Sequence, residues 1–248
     1  MKTNIYHITY TPAAKTASLR FWGCNMNCLG CLCKEGLYDH LLKENLLSGE
    51  RPLDKDGKPA QFLDFDGVLE LLSGLELTRI FLTGKEAAVD PQYAALTKAF
   101  HQRLGTENVL YTNGYYVPVL DDTDAVEVGI KAVSDDLHLR YTGCPAKTVR
   151  ENFINYASSV KKLTAASVVI PGLIEVDEIE KIARFIGNVD ANIPYFVLPY
   201  YPAGDNPWPK TKPEEIDEAA ALARGYLKNV CACYGTDEEL LYDVERVF

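Results

Sequence analysis

The sequence has few basic residues and no long hydrophobic run. Lys and Arg number 25 against 35 Asp and Glu, which gives a net charge of −10. This balance argues against a broad nucleic-acid-binding face, because such faces need clustered cations. No apolar run reaches the roughly 18 residues of a transmembrane helix, and the N-terminus lacks the continuous apolar stretch of a signal peptide. We therefore expect a cytoplasmic protein that binds neither nucleic acid nor membrane.

Glycine and proline are also too few for a low-complexity chain, at 17 and 13 residues. The sequence shows no internal repeat and no linker that would divide it. Its 248 residues and 47% hydrophobic content are enough for one sizeable core. We expect a single globular domain over residues 1–248, with an N-terminal strand at its start.

Histidine is scarce, at four residues with no close pair, and the seven cysteines are an odd number for a fully paired secreted framework. Four of the cysteines lie between residues 24 and 33. In a reducing cytoplasm, such a group binds metal more often than it forms disulfides.

Apolar or β-branched runs alternate with amphipathic stretches along the chain. The runs predict strands over Ala17–Trp22, Arg79–Thr83, Asn108–Thr112, Ala125–Ala132, Ala165–Ile170 and Tyr195–Tyr200. The amphipathic stretches predict helices over Asp64–Ser73, Pro91–Arg103, Ala146–Leu163, Val176–Ile186 and Pro213–Leu227. Such alternation predicts an α/β fold with parallel strands, but it does not separate an open doubly wound sheet from a barrel or partial barrel.

Local features set some of the predicted boundaries. Asp90 before Pro91 predicts a helix cap followed by a first helical position, and Pro213 with the two glutamates after it predicts another helix start. The polar segment Ser48–Gln61 predicts a surface excursion.

The most informative segment is the predicted loop at residues 22–34, which contains Cys24-x3-Cys28-x2-Cys31. Thiolates at these intervals can hold three corners of a 4Fe–4S cluster and leave one iron open. An open coordination site is typical of a catalytic centre. A zinc site would need a paired fourth ligand, and Cys231-x-Cys233 has the wrong spacing for one. A group of inert buried cysteines is the other alternative, although a loop rich in Gly and Asn is not a core pattern.

With the motifs that follow it, this segment resembles the radical S-adenosylmethionine (radical SAM) superfamily. Within it, the chain is similar to pyruvate formate-lyase activating enzyme and related activases of glycyl radical enzymes, from Ser18 to about Trp208. The matching segments are Ile80–Glu86, Tyr111–Gly114, Gly129–Lys131, Asp136–Gly143, Val168–Gly172 and Leu198–Tyr200. The resemblance implies a partial (β/α)6 TIM-like barrel, with these segments on its C-terminal face.

The resemblance also implies roles for individual residues. The metal ligands and catalytic centre would be Cys24, Cys28 and Cys31. The residues that bind S-adenosylmethionine would be Thr83, Gly84, Lys85, Glu86, Thr112, Asn113, Lys131, Ser167 and Tyr201. The chain departs from the family pattern at Gly30, Lys85, Gly129, Ala166 and Tyr201.

The implied function is reductive cleavage of S-adenosylmethionine at an oxygen-sensitive cluster, giving a 5′-deoxyadenosyl radical. A low-potential donor, flavodoxin or ferredoxin, would supply the electron, and a partner glycyl radical enzyme would lose a hydrogen atom from glycine. The departures keep open a small-molecule rearrangement or methylation, and a non-catalytic zinc- or iron-binding module is a third possibility.

Four further cysteines have no assigned role in this scheme: Cys33, Cys144, Cys231 and Cys233. A second cluster on them is an alternative to four ordinary thiols. Cys-x-Cys spacing is awkward for a cubane, so ordinary thiols are the expectation, with Cys33 partly buried in the first helix. His138 is expected on a helix surface or as a satisfied core residue rather than as a base.

Overall fold

The computed structural model describes residues 1–34, 42, 58–202, 205–235 and 243–248. Its centre is a mostly parallel sheet with the order β8-β7-β6-β5-β4-β3-β2-β1-β9. The strands are β1 Ile5–Thr11, β2 Thr16–Phe21, β3 Arg79–Gly84, β4 Glu107–Thr112, β5 Ala125–Gly129, β6 Lys162–Val169, β7 Tyr195–Pro199, β8 Val230–Ala232 and β9 Glu245–Arg246. Strands β2 to β8 are parallel to one another, whereas β1 pairs antiparallel with both β2 and β9.

Helices connect most of the parallel strands and bury one face each. They are α1 Phe65–Ser73, α2 Tyr93–Ala99, α3 Asp135–Thr142, α4 Ala146–Ser159, α5 Val176–Asp190 and α6 Pro213–Ala223. In α5 the buried apolar side chains are Ile179, Ile182, Ala183 and Ile186, at the spacing of one helical face. This face joins the main apolar core.

The structure confirms the parallel α/β prediction. The six predicted strands correspond to β2 through β7, and the expected N-terminal strand is β1. In the part of the chain that the structure describes, β8 and β9 form opposite edges of the sheet and do not pair with each other. The sheet is therefore open, as in a partial barrel.

Four predicted helix boundaries were wrong. Helix α5 continues to Asp190 instead of ending at Ile186, and α6 ends at Ala223 instead of Leu227. Helix α2 begins at Tyr93 rather than Pro91 because the carboxylate of Asp90 accepts hydrogen bonds from the backbone N–H of Asn4 and of Gln92, which turns the chain first. Helix α4 ends at Ser159, and Leu163 lies in β6, whose pairing with β5 takes these residues into the sheet.

Part of the predicted polar excursion, residues 48–57, lies outside the described residues. Within the described ranges, the helices are too short or too polar to cross a bilayer.

The parallel register brings the strand ends that carry the sequence motifs to one edge of the sheet. Phe21 at the end of β2 pairs with Gly84 at the end of β3, and Thr112 pairs with Val128 across β4 and β5. The cysteine loop begins directly after β2. The sequence motifs therefore lie together at this edge of the sheet.

Candidate active site

A cavity of about 490 Å³ lies at the carboxyl edge of the parallel strands. Its walls include every residue for which the sequence predicted a site role: Cys24, Cys28, Cys31, Thr83, Gly84, Lys85, Glu86, Thr112, Asn113, Lys131, Ser167 and Tyr201. Residues far apart in the sequence are thus brought together around one space.

The cysteine loop is fixed to the protein by its own backbone. Asn27 N–H donates to the Thr142 carbonyl over 2.8 Å, and Leu29 N–H donates to the Tyr141 carbonyl over 2.9 Å. The loop is thereby held against the end of α3, with its three motif cysteines on the cavity wall.

Cys24 receives two N–H groups at its sulfur. The backbone N–H of Met26 and the side-chain Nδ2 of Asn113 both lie 3.4 Å from Cys24 Sγ. Burial raises the pKa of this thiol, and the two N–H contacts act in the opposite direction. N–H groups aimed at sulfur are what a cluster thiolate requires, because such bonds tune an iron–sulfur centre. Together with the three soft sulfur donors on one cavity wall, they make the residues fit a 4Fe–4S cluster.

Glu86 holds two strand-end loops together. It is 2% exposed, and its carboxylate accepts hydrogen bonds from Ala88 N–H at 3.1 Å and Asn113 N–H at 2.7 Å. Burial raises its pKa, against the lowering effect of the N–H of Asn113 and the hydroxyl of Thr112. The carboxylate therefore positions Asn113, which in turn contacts Cys24.

Gly84 allows β3 to approach β2 closely at the cavity. Its φ is +106°, and a Cβ there would lie 2.5 Å from the Phe21 backbone nitrogen. The next residue, Lys85, donates its backbone N–H to the Phe21 carbonyl, and its Nζ lies 3.2 Å from the centroid of the Trp22 ring. Lys85 is thus a cavity-wall cation with an aromatic partner.

Another part of the cavity wall combines one cation with two small residues. Gly129 and Ala166 are register partners on β5 and β6, and both line the cavity. Lys131 Nζ lies 3.2 Å from where a Cβ of Gly129 would stand. The hydroxyl of Ser167 donates to the Ile130 carbonyl over 2.8 Å, so this side chain is engaged by the protein itself. In the same way, Tyr201 OH donates to the Gly235 carbonyl over 2.7 Å.

Aromatic side chains fill the space beside Gly30. A Cβ at Gly30 would lie 2.9 Å from Tyr200 Cε2 and 3.1 Å from Tyr141 OH. The rings of Tyr141 and Tyr200 each meet Trp208 nearly edge-on, with centroids 6.3 and 6.1 Å apart. An apolar wall therefore borders the cysteine loop, although Gly30 itself supplies no side chain.

Known protein sequences place this chain in a family. The sequence model described as "Radical SAM superfamily" matches residues 21–186, which include the cysteine loop and strands β3 to β6. The chain belongs to the radical SAM superfamily. The resemblance seen in its motifs is thereby confirmed, and the protein is a radical SAM enzyme.

Among individual radical SAM relatives, a protein of Methanocaldococcus jannaschii is 28% identical over 238 residues, covering 90% of this chain and 82% of the relative. Its name, given provisionally, is glycyl-radical enzyme activating enzyme.

Two solved structures share the fold. One is a radical SAM methyltransferase from Sphaerobacter thermophilus, with a TM-score of 0.60 and 15% identity over 91% of this chain and 69% of that one. QueE from Escherichia coli gives a TM-score of 0.51 and 16% identity over 79% of this chain and 84% of that one. The partial TIM barrel of radical SAM structures is thus the fold of this chain.

The sequence motifs missed two polar residues of the radical SAM cavity, Tyr111 and Glu127. Both side chains line it from neighbouring strands. Because alternate strand residues face the same side, counting back in twos from Asn113 and Lys131 would have reached them.

The remaining cysteines are dispersed over several elements. Cys33 lies in a short 3-10 turn at Leu32–Lys34, not in an α-helix, with Sγ 4.0 Å from the Gly84 carbonyl oxygen. Cys144 Sγ is 3.4 Å from the Asn25 carbonyl oxygen, and Cys231 and Cys233 have sulfurs 4.0 Å apart. Among the described residues, no three His, Cys, Asp or Glu side chains are gathered closely enough to ligate one metal ion. The three motif cysteines nevertheless fit a cluster, because each of them would ligate a different iron.

His138 is fully buried on α3. Its Nδ1 lies 2.7 Å from the Cys144 carbonyl oxygen, and burial lowers its pKa. This places it in the core next to the anchor of the cysteine loop, but its Nε2 is buried without a hydrogen-bond partner among the described residues, so it is not the fully satisfied core histidine that was expected.

Proposed function

We propose that this radical SAM enzyme binds a 4Fe–4S cluster through Cys24, Cys28 and Cys31 and cleaves S-adenosylmethionine reductively. We further propose that the resulting radical removes a hydrogen atom from a backbone glycine of a partner glycyl radical enzyme. The observation that carries the proposal is the shared cavity, which the three thiols line together with Glu86 and Lys131 from the strand ends. The name of the Methanocaldococcus jannaschii relative supports the choice of target.

The protein groups have distinct tasks in this scheme. Cluster and S-adenosylmethionine together supply the 5′-deoxyadenosyl radical, which side chains cannot generate. Asn113 places an N–H group on the Cys24 sulfur, and Glu86 fixes Asn113 through its backbone. Lys131 provides a cation at the cavity wall for the cofactor carboxylate.

A reactive radical intermediate is protected from side reactions when water is excluded from the active site. Apolar surfaces of the cavity would exclude water here. Tyr141 and Tyr200 are buried beside the cysteine loop, and Leu198 with Val168 extends the apolar wall. A low-potential protein donor, flavodoxin or ferredoxin, is proposed as the electron source. The polypeptide of the partner would enter the cavity with its glycine.

The activity is tested with anaerobically reconstituted protein, S-adenosylmethionine, a reductant and a candidate partner enzyme. We expect 5′-deoxyadenosine in solution and a glycyl radical doublet in the EPR spectrum of the partner. The Cys28→Ser variant serves as the matched control and should give neither. Formation of 5′-deoxyadenosine without a glycyl radical on any candidate partner would overturn the activase step and keep the cleavage.

One observation favours a second candidate function, radical chemistry on a small molecule. Gly129 and Ala166 put two minimal side chains next to each other on the cavity wall, which leaves room for a compact substrate. Transfer of deuterium from a labelled small molecule into 5′-deoxyadenosine would favour it. If loaded protein and reductant gave no 5′-deoxyadenosine, a non-catalytic metal module would replace both.

A further inference from the structure

Tyr111 and Glu127 form a polar pair below the level of the cysteine loop. They are register partners on β4 and β5, and both line the cavity. Each lies two residues before a cavity residue at the strand end, Asn113 or Gly129. A strand advances about 3.3 Å per residue, so the pair lies about 7 Å deeper in the barrel.

Neither polar group of this pair is satisfied by the protein. Among the described residues, the Tyr111 hydroxyl and the Glu127 carboxylate have no hydrogen-bond or ion-pair partner. The Tyr111 ring is fixed by stacking on Phe81, with centroids 5.5 Å apart. Tyr111 is 37% exposed and Glu127 is partly exposed, so the hydroxyl and the carboxylate are both open to a ligand in the cavity.

The negative charge of Glu127 has a cation nearby but no ion-pair partner in the part of the chain that the structure describes. Burial raises the pKa of Glu127, and the nearby charge of Lys131 lowers it without a direct ion pair. Lys131 Nζ instead lies close to Gly129, toward the strand ends. Glu127 is partly buried and is bonded to no described protein group, so a positively charged N–H donor of a ligand in the cavity would stabilise its carboxylate.

There is also a path to the pair from the cavity mouth. Gly129 and Ala166 lie next to each other one layer above it and contribute almost no side-chain volume. Val168 and Leu198 provide apolar surface on the same cavity wall, suited to the stem of a long side chain.

We propose that Tyr111 and Glu127 are the specificity-determining residues of this cavity and bind an ammonium or guanidinium group of the substrate. The inference rests on the proposed function in taking this cavity as the reaction site. For an activase, the substrate class is then a glycine-containing segment with a basic side chain close to the glycine.

Binding of small probes tests this directly. Cluster-loaded, S-adenosylmethionine-bound protein is titrated calorimetrically with acetyl-lysine methylamide and with the neutral acetyl-norleucine methylamide. The pair of acetyl-arginine methylamide and acetyl-citrulline methylamide distinguishes guanidinium from ammonium. We expect one of the two cationic probes to bind at least about tenfold more tightly than its neutral counterpart, as a hydrogen-bonded charge would require.

The same titrations on variants assign the effect to the pair. Glu127→Gln should remove the preference for the cation, and Tyr111→Phe, which keeps the ring, should reduce it. Glu151→Gln, which removes one negative charge from the exposed face of α4, should keep it in full. Iron content and circular dichroism equal to wild type establish that each variant is folded and loaded.

The inference is overturned if the wild-type protein binds the cationic and neutral probes equally or binds neither, or if Glu127→Gln keeps the preference. The partner's glycyl radical is measured separately. A glycyl radical without any cation preference would remove this inference alone, whereas a cation preference without a glycyl radical would remove the activase step alone.

Discussion

The side-chain amide of Asn113 lies 3.4 Å from the sulfur of Cys24, across the gap between the end of β4 and the cysteine loop. The backbone of the same asparagine is held by Glu86. One residue therefore couples the strand ends to a proposed cluster ligand, and its removal has a measurable consequence.

Asn113→Ala should lower the reduction potential of the reconstituted cluster. An N–H group directed at a ligand sulfur stabilises the extra negative charge of the reduced state, so its loss disfavours reduction. The measurement is a redox titration followed by EPR. Asn152→Ala, which removes an amide bonded to the Gly114 carbonyl, is the control and should leave the potential unchanged. An unchanged potential in Asn113→Ala would contradict the proposed role.

Glu86→Gln should lower the free energy of unfolding by about 1–3 kcal/mol, because a buried amide can accept only one of the two N–H bonds and turns a donor toward the other. Equilibrium urea unfolding measures this difference. The control Glu107→Gln removes a carboxylate from an exposed ion pair with Arg79, and its effect should be much smaller. Equal losses in the two variants would argue against the linking role of Glu86.

Gly84→Ala should destabilise the fold and abolish 5′-deoxyadenosine formation. The added Cβ would meet the Phe21 backbone at 2.5 Å, so the β3 loop has to move away from the cysteine loop. Gly105→Ala is the matched control, because Gly105 also has positive φ but has nothing within 4 Å of its Cβ position. This control should lose only about 1–2 kcal/mol of unfolding free energy, the cost of a left-handed conformation for alanine. Comparable activity in the two variants would contradict the steric argument.

The contribution of His101 to stability should disappear at alkaline pH. Burial alone would lower its pKa, but Asp124 at 2.7 Å and Asp122 at 3.0 Å outweigh burial and raise the pKa above the usual 6.5. A raised folded-state pKa means that the stabilisation is complete below about 6.5 and is lost as the pH rises through the folded value.

The variant His101→Asn makes this loss measurable. We expect it to cost about 0.5–1 kcal/mol near pH 6, the range of a partly exposed ion pair, and less near pH 9. Urea unfolding of both proteins across this range gives the difference. A cost that is independent of pH would mean that the histidine contributes packing alone.

The parallel core was predictable because its determinants are local. Runs of apolar residues mark β2 to β7, and the amphipathic period marks the helices between them. The edge strands β8 and β9, three and two residues long, carry no such pattern and exist through their pairing with distant residues. The early start predicted for α2 failed because Asp90 binds a residue more than eighty positions away in the sequence, which no local pattern encodes.

The same division holds for the cavity. The motif residues were identifiable because cysteine, glycine and charged residues are conspicuous at strand ends. Glu127 lies inside a strand, where a single acidic residue is indistinguishable by sequence from a solvated position. Only the register with Tyr111 and the curvature of the open sheet make that position part of the cavity wall.

The close contact of Gly30 with Tyr141 and Tyr200 also limits which substitutions this sequence can accept during evolution. Tyr200 and Tyr141 lie within contact distance of the position that a side chain at residue 30 would occupy. A larger residue at position 30 is tolerated only if position 200 or 141 becomes smaller. Among descendants of this sequence, these three positions should therefore covary. The summed volume of their side chains should stay nearly constant.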